Sequence, residues 1–342
     1  MKRLFTLVLL VLVAAGVVAA QDVSQTSRVS IVRRLVSDVY TGASDELLRT
    51  RFVPDATWRQ AGLQERPLND LWTEMSALAV AMPDLNTRAL ALLTDSTSAA
   101  VLTRFRGTFT QPLVWEGRTI QPNDKSIEWL QLDVLRFADG RVVELVMERD
   151  MQGLLSQLGA ATPGARMVQG AQARGAVAAG QAAQAAVAAS SFTREQEESY
   201  RDALMAFLGV ALISPDTETY QPYFSENFVL HLPSGDTNLD GLASLFARVQ
   251  AALPESLLSY PSLLVDDNFV AAQLVISGVF MGGWTDDTGI TLPSNGQTLI
   301  LTANLLARFD ANGAIAEAWM LYDPANWTSQ FAAVPTVPTT TP

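Results

Sequence analysis

Apolar residues recur at helical spacing in two places, at Val29, Val32, Leu35, Val36 and Val39 and again at Tyr200, Leu204, Phe207 and Leu208. A face repeating every three to four residues predicts an amphipathic helix at each. Thr193 and Gln196 precede the second at the spacing of a capping box. Ser44 offers an N-cap for a short second helix, and a third is predicted over Leu68 to Ala81 and over Asp240 to Ala252. Beyond each third helix the period falls to two. This predicts strands over Ala89 to Leu93, Ala99 to Phe109, Ile127 to Phe137 and Val142 to Arg149, and over Phe269 to Phe280, Thr298 to Phe309 and Ala314 to Leu321. Ala138-Asp139-Gly140 and Asp310 to Gly313 supply the tight turns between the last strands. Helices followed by antiparallel strands predict an α+β fold with the helices packed on one face of a sheet.

The two halves repeat one another. Met82-Pro83-Asp84, Arg106-Gly107, Arg136-Phe137, Glu144 and Asp150 recur in order as Leu253-Pro254-Glu255, Ser277-Gly278, Arg308-Phe309, Glu317 and Asp323. Pro83 to Gly107 and Pro254 to Gly278 both span 24 residues, and Glu144 to Asp150 and Glu317 to Asp323 both span 6. Five motifs matching in order point to a duplicated domain.

Composition sets the frame around the repeat. The chain has 342 residues, net charge -12, one histidine and no cysteine. Its negative charge opposes binding to nucleic acid or an anionic membrane surface. Without cysteine there is no disulfide or cysteine-linked lipid, and one histidine leaves little for a metal site, so no metal is expected. Lys2-Arg3, the apolar run Leu4 to Val18 and Ala19-Ala20 have the form of a cleavable export signal over residues 1–20, an uncleaved anchor being the alternative. The expected location is therefore secreted or periplasmic. The expected organisation is domain 1 over 21–160, an Ala/Gly/Gln-rich linker over 161–192, domain 2 over 193–333 and a Thr/Pro-rich tail over 334–342.

Each copy resembles the SnoaL-like polyketide cyclase (ester cyclase) group of the nuclear transport factor two-like superfamily. The resemblance is carried by Ile31 to Leu35, Ala81 to Leu85, Phe137 to Glu144 and Asp150 to Gly159, and it covers about 28–160 and 194–332. It implies a cone of helices and curved sheet around an apolar cavity, working without a cofactor, with an Asp acting as base on a carbon beside a carbonyl and a His in the pocket. It also implies pairing through the outer sheet faces, hence an intramolecular pseudo-dimer.

Alternation places Glu144, Val146, Glu148 and Asp150 on one strand face, and Glu317, Trp319, Leu321 and Asp323 on another. The resemblance makes these the cavity faces, so Asp323 and Asp150 become the candidate bases. His231, seven residues after Phe224, matches the family's pocket histidine, and Arg59 takes that place after Phe52. Trp58, Phe109, Phe280, Trp319, Glu148 and Glu317 complete the candidate pockets. Phe109 and Phe280 stand where many family members carry histidine. Each Asp is equally placed to cap a following helix, and His231 to end a strand. The two open readings are a non-catalytic binder of a small apolar or carbonyl-bearing molecule and a cofactor-independent cyclase or isomerase with its chemistry in copy two.

Overall fold

The computed structural model describes residues 27–42, 46–60, 64–115, 117–160, 192–285 and 291–332. The expected export signal, the linker up to residue 191 and the tail lie outside them.

Copy one opens with helix α1 over residues 27–37, the short α2 (Glu46–Arg49) and α3 (Leu68–Ala81). Its six-stranded sheet has the order β2-β1-β8-β7-β4-β3, built from β1 (Phe52–Gln60), β2 (Arg66–Pro67), β3 (Asn86–Thr94), β4 (Ser98–Thr108), β7 (Ser126–Ala138) and β8 (Arg141–Arg149). A small hairpin, β5 (Leu113–Trp115) and β6 (Arg118–Ile120), projects between β4 and β7, and α4 (Met151–Gln157) follows the last strand. Copy two repeats this plan with α5 (Arg194–Val210), α6 (Thr217–Tyr220), α7 (Leu239–Ala252) and α8 (Pro324–Ala332). Its sheet order is β10-β9-β16-β15-β12-β11, from β9 (Phe224–Leu232), β10 (Gly235–Thr237), β11 (Leu257–Asp266), β12 (Phe269–Val279), β15 (Thr298–Phe309) and β16 (Ile315–Leu321); β13 (Trp284–Thr285) and β14 (Thr291–Leu292) form its small hairpin. In both copies the first long strand lies parallel to the last, and the remaining pairs are antiparallel. The Thr193–Gln196 capping box forms and starts α5.

Local chemistry explains the shared frame. Gly107 lies where a β-carbon would come within 3.0 Å of the Met82 side chain and 3.2 Å of the Leu85 backbone, and Gly278 within 3.1 Å of the Ser256 backbone. The repeated glycine lets β4, and β12 in copy two, pass close under the turn leaving the third helix. Gly140 and Gly313 adopt φ of 73° and 82° in the last hairpin, as the sequence leads one to expect.

Each sheet buries both faces. The helix side of copy one joins Val32, Leu35 and Tyr40 to Leu78, Phe105 and Trp129; that of copy two joins Leu204 and Phe207 to Phe246, Leu274 and Leu305. A third apolar cluster draws on both sheets, with Leu90, Leu102, Leu132 and Val134 of copy one against Leu264, Leu306, Trp319 and Leu321 of copy two. Polar links cross the same surface. Gln60 Nε2 donates to Asp323 Oδ2 at 3.1 Å, Thr302 Oγ1 to Glu148 Oε1 at 3.2 Å, Asn304 Nδ2 to the Leu132 carbonyl at 2.9 Å and the Thr94 amide to Asp266 Oδ2 at 3.1 Å.

Candidate functional site

The faces of the last strands are the reverse of the sequence expectation. Leu145 and Met147 belong to the core beneath the helices of copy one, and Ala318 and Met320 to that of copy two. Alternation therefore turns Glu144, Val146, Glu148, Glu317, Trp319 and Leu321 to the outer face, where the copies meet. The sequence establishes which residues share a face. It does not fix which face is inside when both are buried.

Asp323 is not among the residues lining the copy-two cavity described below. Its Oδ1 accepts from the Ala325 amide at 3.0 Å at the start of α8, and its Oδ2 meets Gln60 of copy one. Asp150 likewise caps α4, accepting from Gly153 N at 2.8 Å. Both carboxylates are helix caps, the alternative the sequence offered for each, and burial holds Asp323 above the usual carboxylate range. His231 is held on the outer side. Its Nδ1 lies 2.7 Å from Asp236, its Nε2 lies 3.0 Å from Glu317, and its ring stacks on Trp319 at 5.1 Å. Glu317 also accepts from Arg308 at 3.0 Å. Arg59 makes the matching clamp in copy one, to Glu144 at 3.3 Å, with Arg136 on the second oxygen at 3.0 Å. The His231–Arg59 equivalence is thus one of fastening the first long strand to the last. Burial alone would lower the His231 pKa, but hydrogen bonds and charge from Glu317 and Asp236 outweigh it and hold the imidazole above its usual value. Trp319 sits between the copies, Phe280 packs edge-on to Phe331 at 4.9 Å, and Phe109 and Trp58 lie in the copy-one core. Glu148 is fully buried between the sheets, and burial followed by the Asp323 charge pushes its pKa well up.

Inside copy one lies a polar cluster that sequence reasoning passed over. Tyr40 Oη donates to Asp133 Oδ2 at 2.7 Å, and Gln131 Nε2 donates to Asp133 Oδ1 and Oδ2 at 2.9 and 3.1 Å. Both Asp133 and Gln131 are 0% exposed. Burial raises the Asp133 pKa to about 7 against the opposing pull of the Tyr40 and Gln131 hydrogen bonds and the Arg149 charge. Burial, then the neighbouring Asp133 charge, raises Tyr40 well above the phenol value.

Strand register extends the cluster. Thr103 is paired with Gln131 across β4 and β7, and Gln131 with Arg149 across β7 and β8. The three form one cross-strand row, with neighbouring β-carbons about 5 Å apart. Arg149 Nη2 donates to Glu74 on α3, and its guanidinium lies 5.8 Å from the centre of the Trp115 ring. Yet Arg149 Nε and Nη1, Thr103 Oγ1, Gln131 Oε1 and the indole N–H groups of Trp58 and Trp129 are buried without a hydrogen-bond partner. Each such group costs about 1–3 kcal/mol while it stays unpaired. A ligand bearing hydrogen-bonding atoms would offset that cost.

Copy two has none of this row. Aligned on the repeated residues, Trp58, Glu74, Thr103, Trp129, Gln131, Asp133 and Arg149 correspond to Leu230, Leu245, Leu274, Leu301, Ala303, Leu305 and Tyr322, all in its apolar core. A cavity lined by Leu204, Phe207, Phe228, Leu274, Leu305 and Met320, among others, has room for roughly one water molecule. The buried row of unpartnered polar groups is in copy one, whereas the sequence expectation pointed to copy two. Elsewhere, Glu197, Asp266 and Asp267 bring three carboxylates within 4.8 Å of one another, and burial lifts Asp266 to about 6.

The model of the SnoaL-like polyketide cyclase family matches residues 30–158 and again 204–331. No curated protein matches the chain. Solved structures similar to it include one assigned as a SnoaL-like polyketide cyclase from Jannaschia sp. CCS1, 17% identical over 40% of this chain and 95% of that one, with a TM-score of 0.35. AclR from Streptomyces galilaeus, assigned as a hydroxylase, is 20% identical over 42% of this chain and 99% of its own, TM-score 0.33. IdmH from Streptomyces antibioticus, assigned as a polyketide cyclase, is 20% identical over 39% and 99%, TM-score 0.33. With two matched segments spanning more than half its length and the repeated α+β frame in each, the chain belongs to the SnoaL-like polyketide cyclase family, twice over.

Proposed function

We propose that this is an exported, tandem ligand-binding protein in which copy one takes up a small carbonyl-bearing molecule, while copy two serves as its apolar structural partner in an intramolecular pseudo-dimer. The observation that carries this reading is the contrast between the interiors: Thr103, Gln131, Asp133 and Arg149 in one copy, Leu274, Ala303, Leu305 and Tyr322 in the other. Burying unpaired polar groups costs stability, and a bound molecule that pairs them explains why a cone would carry them. The shared apolar cluster and four interdomain hydrogen bonds support the pseudo-dimer. Among the described residues, no helix is long and apolar enough to cross a membrane. The basic start, apolar run and Ala19-Ala20 support export.

Native mass spectrometry of the purified chain tests the binding role. A small molecule should copurify with the wild type and be absent from a folded variant carrying Thr103→Leu, Gln131→Ala and Asp133→Leu, the residues copy two has in those places. Retention of the same molecule by the folded triple variant would contradict the assignment.

Cofactor-independent proton transfer is the second reading. It is favoured by Asp133, whose pKa of about 7 suits a general base near neutrality. Tyr40 would hold the carboxylate in place. Faster exchange of the central protons of acetylacetone in deuterated buffer with wild type than with Asp133→Asn would support it, and equal rates would remove it.

A further inference from the structure

The interior of copy one holds several buried hydrogen-bond donors without acceptors. Arg149 is 1% exposed, and two of its nitrogens, Nε and Nη1, have no acceptor. Thr103 Oγ1 and the Trp129 indole N–H add further donors without partners. Gln131 Oε1 is the unpaired acceptor in the Thr103–Gln131–Arg149 row. Asp133 already accepts from Tyr40 and Gln131. The surplus of donors asks for a ligand rich in acceptors, and a buried guanidinium asks for an anionic one.

The surroundings are consistent with such a ligand. Phe105 and Trp129 stack at 4.6 Å with planes 10° apart, and Trp115 covers the guanidinium. An interior this rich in aromatic side chains suits an unsaturated or aromatic ligand. Charge also runs inward from the surface: Arg66 is half exposed, Glu74 lies 3.9 Å from it at 10% side-chain exposure, and Arg149 lies beyond Glu74. Glu74 already places a carboxylate on Arg149, so the chain shows with its own side chain that the guanidinium takes a carboxylate here.

Resting on the assignment of ligand binding to copy one, we infer that its ligand is a small planar carboxylate, held through the unpaired N–H groups of Arg149, with Glu74 as its internal competitor. A ligand carboxylate gains charge-assisted hydrogen bonds from Arg149 and is opposed by the charge of Glu74. Removing Glu74's charge therefore strengthens binding, an effect opposite to that of deleting an ordinary pocket residue.

The test uses the full chain with benzoate and its neutral relative benzamide, dissociation constants being read by ligand-observed NMR. Benzoate should bind more tightly than benzamide. Arg149→Met should weaken benzoate by at least about tenfold and leave benzamide within about twofold, the former being the loss expected for one charged hydrogen-bond partner. Glu74→Gln should tighten benzoate by about threefold or more. Because Arg149→Met leaves Glu74 without its partner, the double variant Glu74→Gln/Arg149→Met provides a neutral, folded background, checked by circular dichroism. It too must fail to prefer benzoate. Equal binding of both probes to copy one would overturn the carboxylate inference and leave the binding role standing. Failure of both probes to bind there would count against both. Weaker benzoate binding in Glu74→Gln, or an unchanged preference in either Arg149 variant, would overturn the inference on its own.

Discussion

Asp133→Asn isolates the cost of placing an acid inside copy one. Burial moves this carboxyl from 3.8 to about 7, a rise of about 3 units. At 1.36 kcal/mol per unit, the fold is destabilised by roughly 4 kcal/mol once the pH exceeds about 7. The sign follows from the direction of the shift. Below about pH 4 the group is neutral in both states and costs nothing. As pH rises from there to about 7, the unfolded chain ionises first and stability falls. Asparagine does not titrate, and the new amide can accept from Tyr40 and donate to Gln131 Oε1 after the glutamine side chain turns over. Urea unfolding of the full chain, followed by far-ultraviolet circular dichroism, should therefore show the variant gaining on the wild type by about 2–3 kcal/mol between about pH 5 and pH 8. A constant difference across that range would refute the assignment of a raised, buried acid to this position.

Glu148→Gln should likewise flatten the alkaline side of the stability profile, because burial between the sheets and the Asp323 charge raise the carboxyl, so its ionisation destabilises the packed pair as pH rises; thermal melts at several pH values check this. His231 has the opposite sign: its raised pKa adds stability below its unfolded value of about 6.5 and loses it as pH rises through the folded value, so His231→Gln should cost more at about pH 5 than at about pH 9. Gly107→Ala should destabilise copy one by about 1–3 kcal/mol through contact with Met82 and Leu85, read as a lower melting temperature without loss of the far-ultraviolet spectrum.

The frame was legible because it is written in short-range signals: helical spacing in α1 and α5, the Thr193 cap and the glycines of the last hairpins. Three long strands, β1, β9 and β11, were not expected from the sequence, and two of them carry a proline. β1 carries Pro54 and shifts register between Phe52 and Thr57; β11 carries Pro261 and shifts between Ser259 and Ser262 at the sheet edge. Such irregularities break the alternation that reveals a strand. The polar row of copy one was passed over for a different reason. In β7 the polar Gln131 and Asp133 alternate with Leu130, Leu132 and Val134, a pattern that normally puts the polar side in water. Here the leucines cover the other copy, and the polar side faces the cone. Trp129 and Leu135, on the same face as Asp133, carried the available signal, since a strand apolar on both faces is covered on both. The same ambiguity inverted the faces of β8 and β16, and with them Glu148, Glu317 and Trp319.

Met147 and Met320 report on the two interiors from equivalent places, Met147 opposite Asp133 and Met320 opposite Leu305. The most direct test of the account is a spectrum of the full chain labelled at the methionine methyls, titrated with acetylacetone and with benzoate. The account requires the Met147 methyl to shift with added probe while the Met320 methyl holds its position. Movement of Met320 with Met147 unchanged, or no movement of either, would contradict it.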